Sequence, residues 1–360
     1  MRNILVLLLF SPGLILAQIT RGGGGETGTE GSTNTHNSDE KTDWFATKNK
    51  PADCSRDLEI DPGNQLIYHK KTQKPYTGRC VSYYPNGRLE RTASFVNGKD
   101  SDTSMAFYES GDIQARIMYV QGVENGTWAY WYDNGKSSEP QQLAWANTYT
   151  MGVKTGQWYF FDEEGNPTKY LEYENDLLSG ECRYYYEGGD VKRIAHYKNG
   201  DLDGEYVNFY ADSVVKSRKI YKGGEADGES TSYYESGAIK AEKSYKDGEL
   251  SGQYMIYHEN GQVKQKSQFV DGKEDGLWEM YQEDGKDATK ALYDKGKLLK
   301  TVAYDRFGKP KDELAVIELE DAMKNKALND ADGGKRKKKK KEKEGEESDS
   351  KGKKKEKKEE

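Results

Sequence analysis

A repeat of 24 residues constrains this chain more than any other feature. Its marker is a glycine in turns such as Tyr-Pro-Asn-Gly and Tyr-Glu-Ser-Gly. The spacing is regular except for a six-residue insertion after the third turn, Gly135, and serine replaces glycine in the sixth. The nine turn positions are Gly87, Gly111, Gly135, Gly165, Gly189, Ser213, Gly237, Gly261 and Gly285. A fixed period of this length predicts an array in which each unit packs on its neighbours.

Two columns of the repeat are aromatic in all nine copies. Four residues before the turn stand Tyr83, Phe107, Trp131, Phe161, Tyr185, Phe209, Tyr233, Tyr257 and Tyr281. Eight residues after it, allowing for the insertion, stand Phe95, Tyr119, Tyr149, Tyr173, Tyr197, Tyr221, Tyr245, Phe269 and Tyr293. Glycine dominates the columns nine before and eleven after the turn, where the exceptions are Asp102 and Asp176. Aromatic strands joined by glycine turns predict one β-hairpin per copy.

A two-residue turn would fix which residues share a face. The glycine nine before the turn would then lie opposite the aromatic residue eight after it, so that the ring covers the glycine backbone. The same face would carry the residues seven before the turn, including Trp128, Trp158, Tyr206, Tyr254 and Trp278. Cys182 falls in this column too, which favours a packing role for it over a nucleophilic one.

The composition agrees with a thin β-structure. Hydrophobic residues make up only 34%, yet the chain has 27 Tyr, 9 Phe, 6 Trp and 39 Gly. Disordered chains are poor in aromatic residues. We therefore predict an all-β repeat, an elongated single twisted antiparallel sheet of about nine 24-residue β-hairpins over residues 76–300. A short C-terminal helix and a disordered tail follow it.

The N-terminus has the layout of a secretory signal peptide over residues 1–17. One positive charge, Arg2, precedes an apolar run that Pro12 and Gly13 interrupt, and Ala17 offers a cleavage site. The run is too short for a membrane span. We expect an exported protein that is periplasmic, cell-envelope associated or secreted, with no transmembrane span after cleavage.

The remaining segments differ in composition. Residues 18–43 are rich in Gly, Thr, Ser and Asn and predict a flexible linker. Residues 44–75 form a lead-in that would cap the first copy. Residues 301–330 form a C-terminal cap, with apolar residues at helical spacing over 311–328. Residues 331–360 form the tail, and caps at both ends would cover the open sheet edges.

The tail is dense in lysine and glutamate. Residues 335–360 hold 14 Lys or Arg and 8 Asp or Glu, a net of +6; since the whole chain is −7, the rest carries −13. Such a block stays disordered. It either solvates the chain or binds an anionic surface, lipid or glycan. Specific nucleic-acid binding is not expected.

The cysteines suggest one disulfide, and the sequence contains no metal-binding or catalytic motif. In an exported chain Cys54 and Cys80, the closer pair in sequence, are disulfide candidates. CxxC motifs and Cys/His clusters are missing, so we expect no metal and no cofactor. GxSxG, P-loop and HExxH motifs are missing as well. Paired carboxylates fall in turns, where acidic residues are common. We expect no enzymatic activity.

Several phrases resemble a known family. YYPNGRL, FYESGDI, YYESGAIK and YHENGQVK, followed by FVNGK or YKDGELSG, resemble MORN-variant repeats over about residues 65–300. KPYTGRCVSYYPNGRLE is similar to the opening of bacterial antitoxin-type MORN-variant repeat proteins. The resemblance implies consecutive β-hairpins in one sheet and a scaffold or binding role.

Three functions remain open at this point. The first is a non-catalytic scaffold that binds protein partners at the cell envelope. The second is carbohydrate or cell-wall binding, because TGQWYFFDEEG and NGTWAYWYDNG resemble the aromatic phrase of choline- and glucan-binding repeats. The third is toxin neutralisation. The insertion at about 136–148 predicts a protruding loop that displays Trp145. The candidate binding residues are Trp128, Trp131, Trp145, Trp158 and Trp278.

Overall fold

A computed structural model describes residues 50–135 and 141–331 of the protein. The predicted signal peptide, the linker and the tail beyond residue 331 lie outside the described residues. So does part of the insertion.

The described residues form 27 β-strands and one helix. The strands are β1 Ala52–Asp53, β2 Leu58–Ile60, β3 Ile67–His69, β4 Lys74–Pro75, β5 Gly78–Tyr83, β6 Leu89–Val96, β7 Lys99–Asp100, β8 Asp102–Phe107, β9 Ile113–Val120, β10 Val123–Glu124, β11 Gly126–Trp131, β12 Leu143–Thr150, β13 Val153–Phe161, β14 Pro167–Glu174, β15 Leu177–Leu178, β16 Gly180–Tyr185, β17 Val191–Lys198, β18 Asp201–Phe209, β19 Val215–Lys222, β20 Glu225–Tyr233, β21 Ile239–Lys246, β22 Glu249–Leu250, β23 Gly252–Tyr257, β24 Val263–Val270, β25 Lys273–Tyr281, β26 Asp287–Asp294 and β27 Lys297–Ala303. Helix α1 covers residues 313–331.

Strands β5 to β27 follow one another as antiparallel hairpins in a single sheet, in chain order. The pairing runs from β5–β6 at one end to β26–β27 at the other. Strand β1 adds to the first edge in parallel, with Ala52 opposite Cys80. The predicted repeat sheet with a C-terminal helix is therefore confirmed, and the parallel strand makes the sheet mixed. Strands β2, β3 and β4 form a separate small sheet.

The turn within each copy differs from the predicted two-residue loop. In the first copy the Tyr84 amide donates to the Arg88 carbonyl at 2.8 Å, and the Gly87 amide donates to the Tyr84 carbonyl at 2.9 Å. Three residues therefore lie in the loop, and Gly87 takes a φ of 82°. A β-bulge next to Tyr83 then shifts the register by one residue. The bulge restores the predicted pairing of glycine with the aromatic residue eight after the turn, as in Gly126–Tyr149 and Gly156–Tyr173.

The turn between copies is the two-residue loop. Asn97 and Gly98 both have positive φ, 49° and 77°, as a type I′ turn requires. The same geometry recurs at each later junction. Asp176, the exception in the glycine column, takes a φ of 66°. The loop geometry is therefore kept where a glycine is missing.

The sheet has two faces, which we name by their side chains. The ring face carries the residues seven before and eight after each turn position. The polar face carries the residues six before and five after it. Successive residues of a strand alternate between the two.

The two ends of the repeat are covered on opposite faces. At the first copy the lead-in packs Leu58 against Cys80 and Phe95 on the ring face. At the last copy α1 packs Leu319 against Leu292 and Val302, on the polar face. The lead-in also carries Cys54, whose sulfur is bonded to that of Cys80 with the two Cα atoms 5.1 Å apart.

A tenth turn lies beyond the nine predicted copies. The Gly308 amide donates to the Asp305 carbonyl, and the Asp305 amide donates to the Lys309 carbonyl at 2.8 Å. This is the hydrogen-bond pattern of the turn at Gly87. The phrase Tyr-Asp-Arg-Phe-Gly at 304–308 signals it, but its spacing from Gly285 is one residue short of the period. The predicted C-terminal cap thus begins with half a repeat.

Within residues 50–135 and 141–331, no helix has both the length and the apolar character that crossing a membrane requires.

Candidate functional site

Aromatic rings form a continuous row on the ring face of the second to fourth copies. The ring centroids of Tyr119 and Trp128 lie 5.2 Å apart, and those of Trp128 and Tyr149 lie 5.1 Å apart. Trp158 continues the row, 5.3 Å from Tyr149 and 4.7 Å from Tyr173. Tilted contacts of this kind add stability beyond area burial. The row is thus first of all the packing of the sheet itself.

The indole groups of this row also satisfy backbone carbonyls. Trp128 Nε1 donates to the Met118 carbonyl at 2.9 Å, and Trp158 Nε1 donates to the Thr148 carbonyl at 3.1 Å. Each ring therefore reaches across to the neighbouring strand. Trp158 is only 7% exposed, so little of its ring is left for a ligand.

Three of the five candidate tryptophans come together, and two lie elsewhere. Trp145 stacks on Tyr130 with centroids 5.8 Å apart and an angle of 9° between the planes, on the same face as Trp128 and Trp158. Trp131 is adjacent to Tyr130 in β11, and the alternation of the strand places it on the polar face. The fifth candidate, Trp278, lies in the ninth copy.

The loop prediction for Trp145 is wrong. Trp145 lies inside strand β12, opposite Tyr130 on one side and Phe160 on the other. The Tyr132 amide bonds the Gln142 carbonyl at 2.9 Å, so the insertion lengthens only the turn between these two residues. The extra residues do not displace the strand, because pairing resumes at Leu143.

A second ring row occupies the eighth and ninth copies. Phe269 lies between Tyr254 and Trp278, with centroid distances of 6.1 and 5.4 Å, and Trp278 reaches Tyr293 at 4.8 Å. In the fifth copy the position of Tyr254 and Trp278, seven before the turn, is occupied by Cys182, which is buried. Burial raises the pKa of the Cys182 thiol. A protonated, enclosed thiol fits packing and not nucleophilic attack.

A column that the sequence analysis did not single out links the copies along one side of the sheet. In eight of the nine copies the residue three before the turn bonds the backbone carbonyl of a residue in the next copy, 23 positions later, or 29 where the insertion intervenes. The donor is a tyrosine hydroxyl in six copies: Tyr84–Phe107, Tyr108–Trp131, Tyr132–Phe161, Tyr186–Phe209, Tyr210–Tyr233 and Tyr234–Tyr257. Gln282 donates to the Asp305 carbonyl in the same way. Burial raises the pKa of Tyr84 and Tyr132.

The other side of the sheet has a backbone counterpart. The Gly122 amide donates to the Asp100 carbonyl at 2.6 Å, and the Gly224 amide donates to the Leu202 carbonyl at 2.8 Å. The glycine of each two-residue loop thus bonds the preceding copy. A Cβ at Gly152 would lie 3.0 Å from Val123 Cγ1. The loops therefore stack on one another, and glycine leaves room for this.

Cations lie over the rings in the middle of the ring face. Lys154 Nζ is 5.2 Å from the Trp158 centroid, and Lys219 Nζ is 4.6 Å from the Tyr245 centroid. Distances below about 6 Å are those of cation–π contacts. Between Trp158 and Trp278, where the copies contain no tryptophan, lysine and arginine side chains contact the tyrosine rings of the ring face.

The polar face holds both signs of charge. Arg183 pairs with Glu181 at 2.5 Å, and Arg218 pairs with Glu205 at 3.1 Å. These pairs are exposed in part and contribute little to stability. A cavity of about 650 Å³ lies on this face in the eighth and ninth copies and is lined by Met255 among others. Its walls combine aliphatic, amide and charged groups.

The described part of the chain contains no candidate metal site. No group of three or more His, Cys, Asp or Glu residues there could hold an ion.

Comparison with solved structures gives weak likeness only. The chain matches the crystal structure of TcdB2-TccC3-Cdc42 with 10% identity over 69% of this chain and 18% of that chain, at a TM-score of 0.15. The TcdB2-TccC3 structure gives 11% identity over 63% of this chain and 13% of that chain, at a TM-score of 0.16. This chain therefore spans less than a fifth of either, and TM-scores this low support no argument. Among curated proteins none matches the sequence.

The family comparison is specific. The model of the MORN repeat variant matches residues 76–97, 178–199, 226–247 and 250–271. Each segment covers the turn of one copy and the two strands beside it, in the first, fifth, seventh and eighth hairpins. The second and third hairpins, which the model does not match, share the strand register of the matched ones, although the turn of the third is longer. The chain is thus a β-hairpin repeat protein, four of whose hairpins match the MORN repeat variant.

Proposed function

We propose that this protein is a non-catalytic, exported scaffold that binds protein partners at the cell envelope. The observation that carries the proposal is the single-layer sheet itself. In the described residues, the lead-in covers one face at the first copy and α1 covers the other face at the last. The copies between them present periodic aromatic and charged side chains on both faces. A long, regular surface of this kind suits binding to a partner along its length.

The absence of catalysis is supported by where the reactive groups lie. The carboxylates Asp162, Asp284 and Asp305 accept hydrogen bonds from backbone amides of their own turns. Those bonds stabilise the turn and leave the oxygens engaged. The only cysteine outside the disulfide is buried.

Export is supported by the signal-peptide layout of the first 17 residues and by the disulfide between Cys54 and Cys80. Disulfides persist in oxidising compartments and are rare in the cytosol. The disulfide ties the lead-in to the first copy, so the cap is joined covalently to the sheet.

Carbohydrate binding is the second candidate. Trp128 and Trp145 keep part of their surface exposed on the ring face. Partly exposed tryptophan rings can stack on a sugar. The contacts of Trp128 with two tyrosine rings reduce the area available for this.

Site-specific cross-linking tests the scaffold proposal. A photoreactive residue is placed at Ser217 on the ring face or at Glu229 on the polar face, and the protein is irradiated in its native cells. We expect a defined protein adduct from at least one of these positions. A chain that ends at residue 331 should form the same adduct, because it retains α1 and its contact with Leu292. Adducts that require residues 332–360 would place binding in the tail and contradict the proposal.

A further inference from the structure

We infer that the ring face of the fourth to seventh copies binds an acidic, extended polypeptide segment of the partner protein. The inference rests on the proposed scaffold function and names the surface and the partner chemistry. It is carried by the separation of charge between the two faces of the sheet.

Five cations lie on the ring face in these copies, and we call them the basic strip. They are Lys154, Lys169, Arg193, Lys219 and Lys243. Residues an even number of positions apart in a strand share a face. Lys169 lies four positions before Tyr173 in β14, and Arg193 lies two before Ala195 in β17, so both cations lie on the ring face. From Gly126 to Phe269, the ring-face positions of the described strands carry no aspartate or glutamate. The carboxylates of these copies lie on the polar face, among them Glu181, Glu205, Glu229 and Glu242.

Four of the five cations, Lys154, Arg193, Lys219 and Lys243, lie over aromatic rings. Arg193 lies 5.6 Å from the Tyr184 centroid and 5.2 Å from that of Tyr206. Lys243 lies 5.4 Å from the Tyr245 centroid and 5.5 Å from that of Tyr254. Within the described residues, none of the five belongs to an ion pair; Arg193 donates to Asn208 Oδ1 at 3.2 Å. Rings therefore position four of the five cations, and no ion pair in the described residues neutralises the charge of the strip.

This arrangement favours an acidic partner over one that stacks on aromatic rings. The Tyr245 ring is contacted by Lys219 at 4.6 Å and by Lys243 at 5.4 Å. Rings engaged in this way offer little free surface to a base or a sugar. What remains available is the charge of the ammonium and guanidinium groups. Carboxylates, the anionic groups of a polypeptide, form strong charge-assisted hydrogen bonds with such cations.

The spacing of the strip suits an extended chain. Lys219 and Lys243 occupy the same position in adjacent copies, two strands apart, which corresponds to about 10 Å. A polyproline II chain rises about 3.1 Å per residue, with three residues per turn. Carboxylates three residues apart would therefore face Lys219 and Lys243 in turn. An acidic segment with this period, crossing the strands of the sheet, is the partner that the geometry fits.

The test uses full-length protein and two fluorescein-labelled peptides of equal composition. One repeats Glu-Pro-Ser, and the other has its glutamates in one block. We expect the first to bind more tightly, and binding to weaken as salt rises, since exposed charges are screened. In Lys219→Gln/Lys243→Gln its affinity should fall about tenfold, because each lost contact to a partly exposed charge is worth up to about 1 kcal/mol.

The matched control is Lys222→Gln/Lys246→Gln, which removes the same charge from the same copies. Both lysines are exposed, and both lie on the polar face. This variant should bind the peptide like the unaltered protein. Equal losses in the two variants would overturn the proposal, as would equal affinity for the two peptides.

Two further results would also overturn it. One is binding of chondroitin sulfate or of a polythymidine oligonucleotide through Lys219 and Lys243 while neither peptide binds. The other is no binding of any probe. If adducts still form from Ser217 in cells in that case, the scaffold function stands and only this inference falls. Circular dichroism of each variant confirms that the sheet is retained.

Discussion

The hydroxyl of Tyr84 donates a 2.8 Å hydrogen bond to the backbone carbonyl of Phe107, which lies 23 residues further along the chain. The bond crosses from one copy to the next at the side of the sheet where the three-residue turns lie. Five more tyrosines repeat it. Neighbouring hairpins are therefore joined beyond their strand pairing, which suits an array stabilised by nearest-neighbour contacts.

Removing one of these hydroxyls should destabilise the sheet. In Tyr234→Phe the ring stays, and the hydrogen bond to the Tyr257 carbonyl is lost. We expect the free energy of unfolding to fall by about 1 kcal/mol. Urea unfolding followed by circular dichroism measures it. Tyr83→Phe is the control, because Tyr83 is 57% exposed and should change little. A loss of equal size in both variants would show that the shared bond is not the cause.

Alkaline pH should weaken the sheet through Tyr257. Its hydroxyl donates to Glu242 Oε2 at 2.7 Å, and this bond, with burial, raises the pKa of Tyr257 to about 12. The folded state therefore holds the proton more tightly than the unfolded state, whose tyrosine pKa is near 10. The stabilisation is complete below pH 10 and is lost as the pH rises toward 12.

The measurement compares unfolding free energies at neutral pH and between pH 10 and 12. Glu242→Gln should lower the pKa of Tyr257, because the largest cause of its rise is removed. The fall in stability from neutral to alkaline pH should then be smaller than in the unaltered protein. An unchanged fall would show that other tyrosines dominate the alkaline transition.

Breaking the disulfide should release the lead-in. The bond joins residues 26 apart and reduces the conformational entropy of the unfolded chain. For a loop of this length the effect on the free energy of unfolding is about 3 kcal/mol. In Cys54→Ser we expect hydrogen exchange to quicken in strands β1 to β6, while β17 to β27 keep their protection. Cys182→Ala, which leaves the disulfide intact, is the comparison. Uniform loss of protection along the chain would contradict a local role.

The helix should depend on one lysine. Lys326 Nζ lies 3.0 Å from Asp275 Oδ1, 3.2 Å from Asp294 Oδ1 and 3.0 Å from Asp330 Oδ2, and its side chain is only 9% exposed. In Lys326→Met three carboxylates lose their shared cation, at a cost of about 2 kcal/mol.

Hydrogen exchange over residues 313–331 reports this loss. Lys324→Met is the matched control, since Lys324 is 71% exposed and pairs only with Asp321 in the described residues. Helix protection should fall in the first variant and persist in the second. Equal protection in both would mean that the apolar contacts of Leu319 alone hold the helix.

The sequence by itself determined the period, the hairpin and the pairing of glycine with an aromatic ring. These follow from local rules: turn glycines such as Gly87 need positive φ, and strand residues alternate between two faces. The regular 24-residue spacing made each copy evidence for the others. The helix followed from apolar residues at helical spacing, among them Leu319.

Tertiary structure decided what depends on contacts between copies. The three-residue turn and the bulge beside Tyr83 could not be read from the sequence, which is equally compatible with a two-residue loop that gives the same pairing of Gly78 with Phe95. Trp145 lies in a strand, because backbone pairing resumes directly after the insertion. The tyrosine bonds reach 23 residues along the chain, or 29 across the insertion, and exist only because successive turns lie side by side. The sequence shows which residues recur, but the distance between neighbouring copies comes from the hydrogen bonds of the assembled sheet.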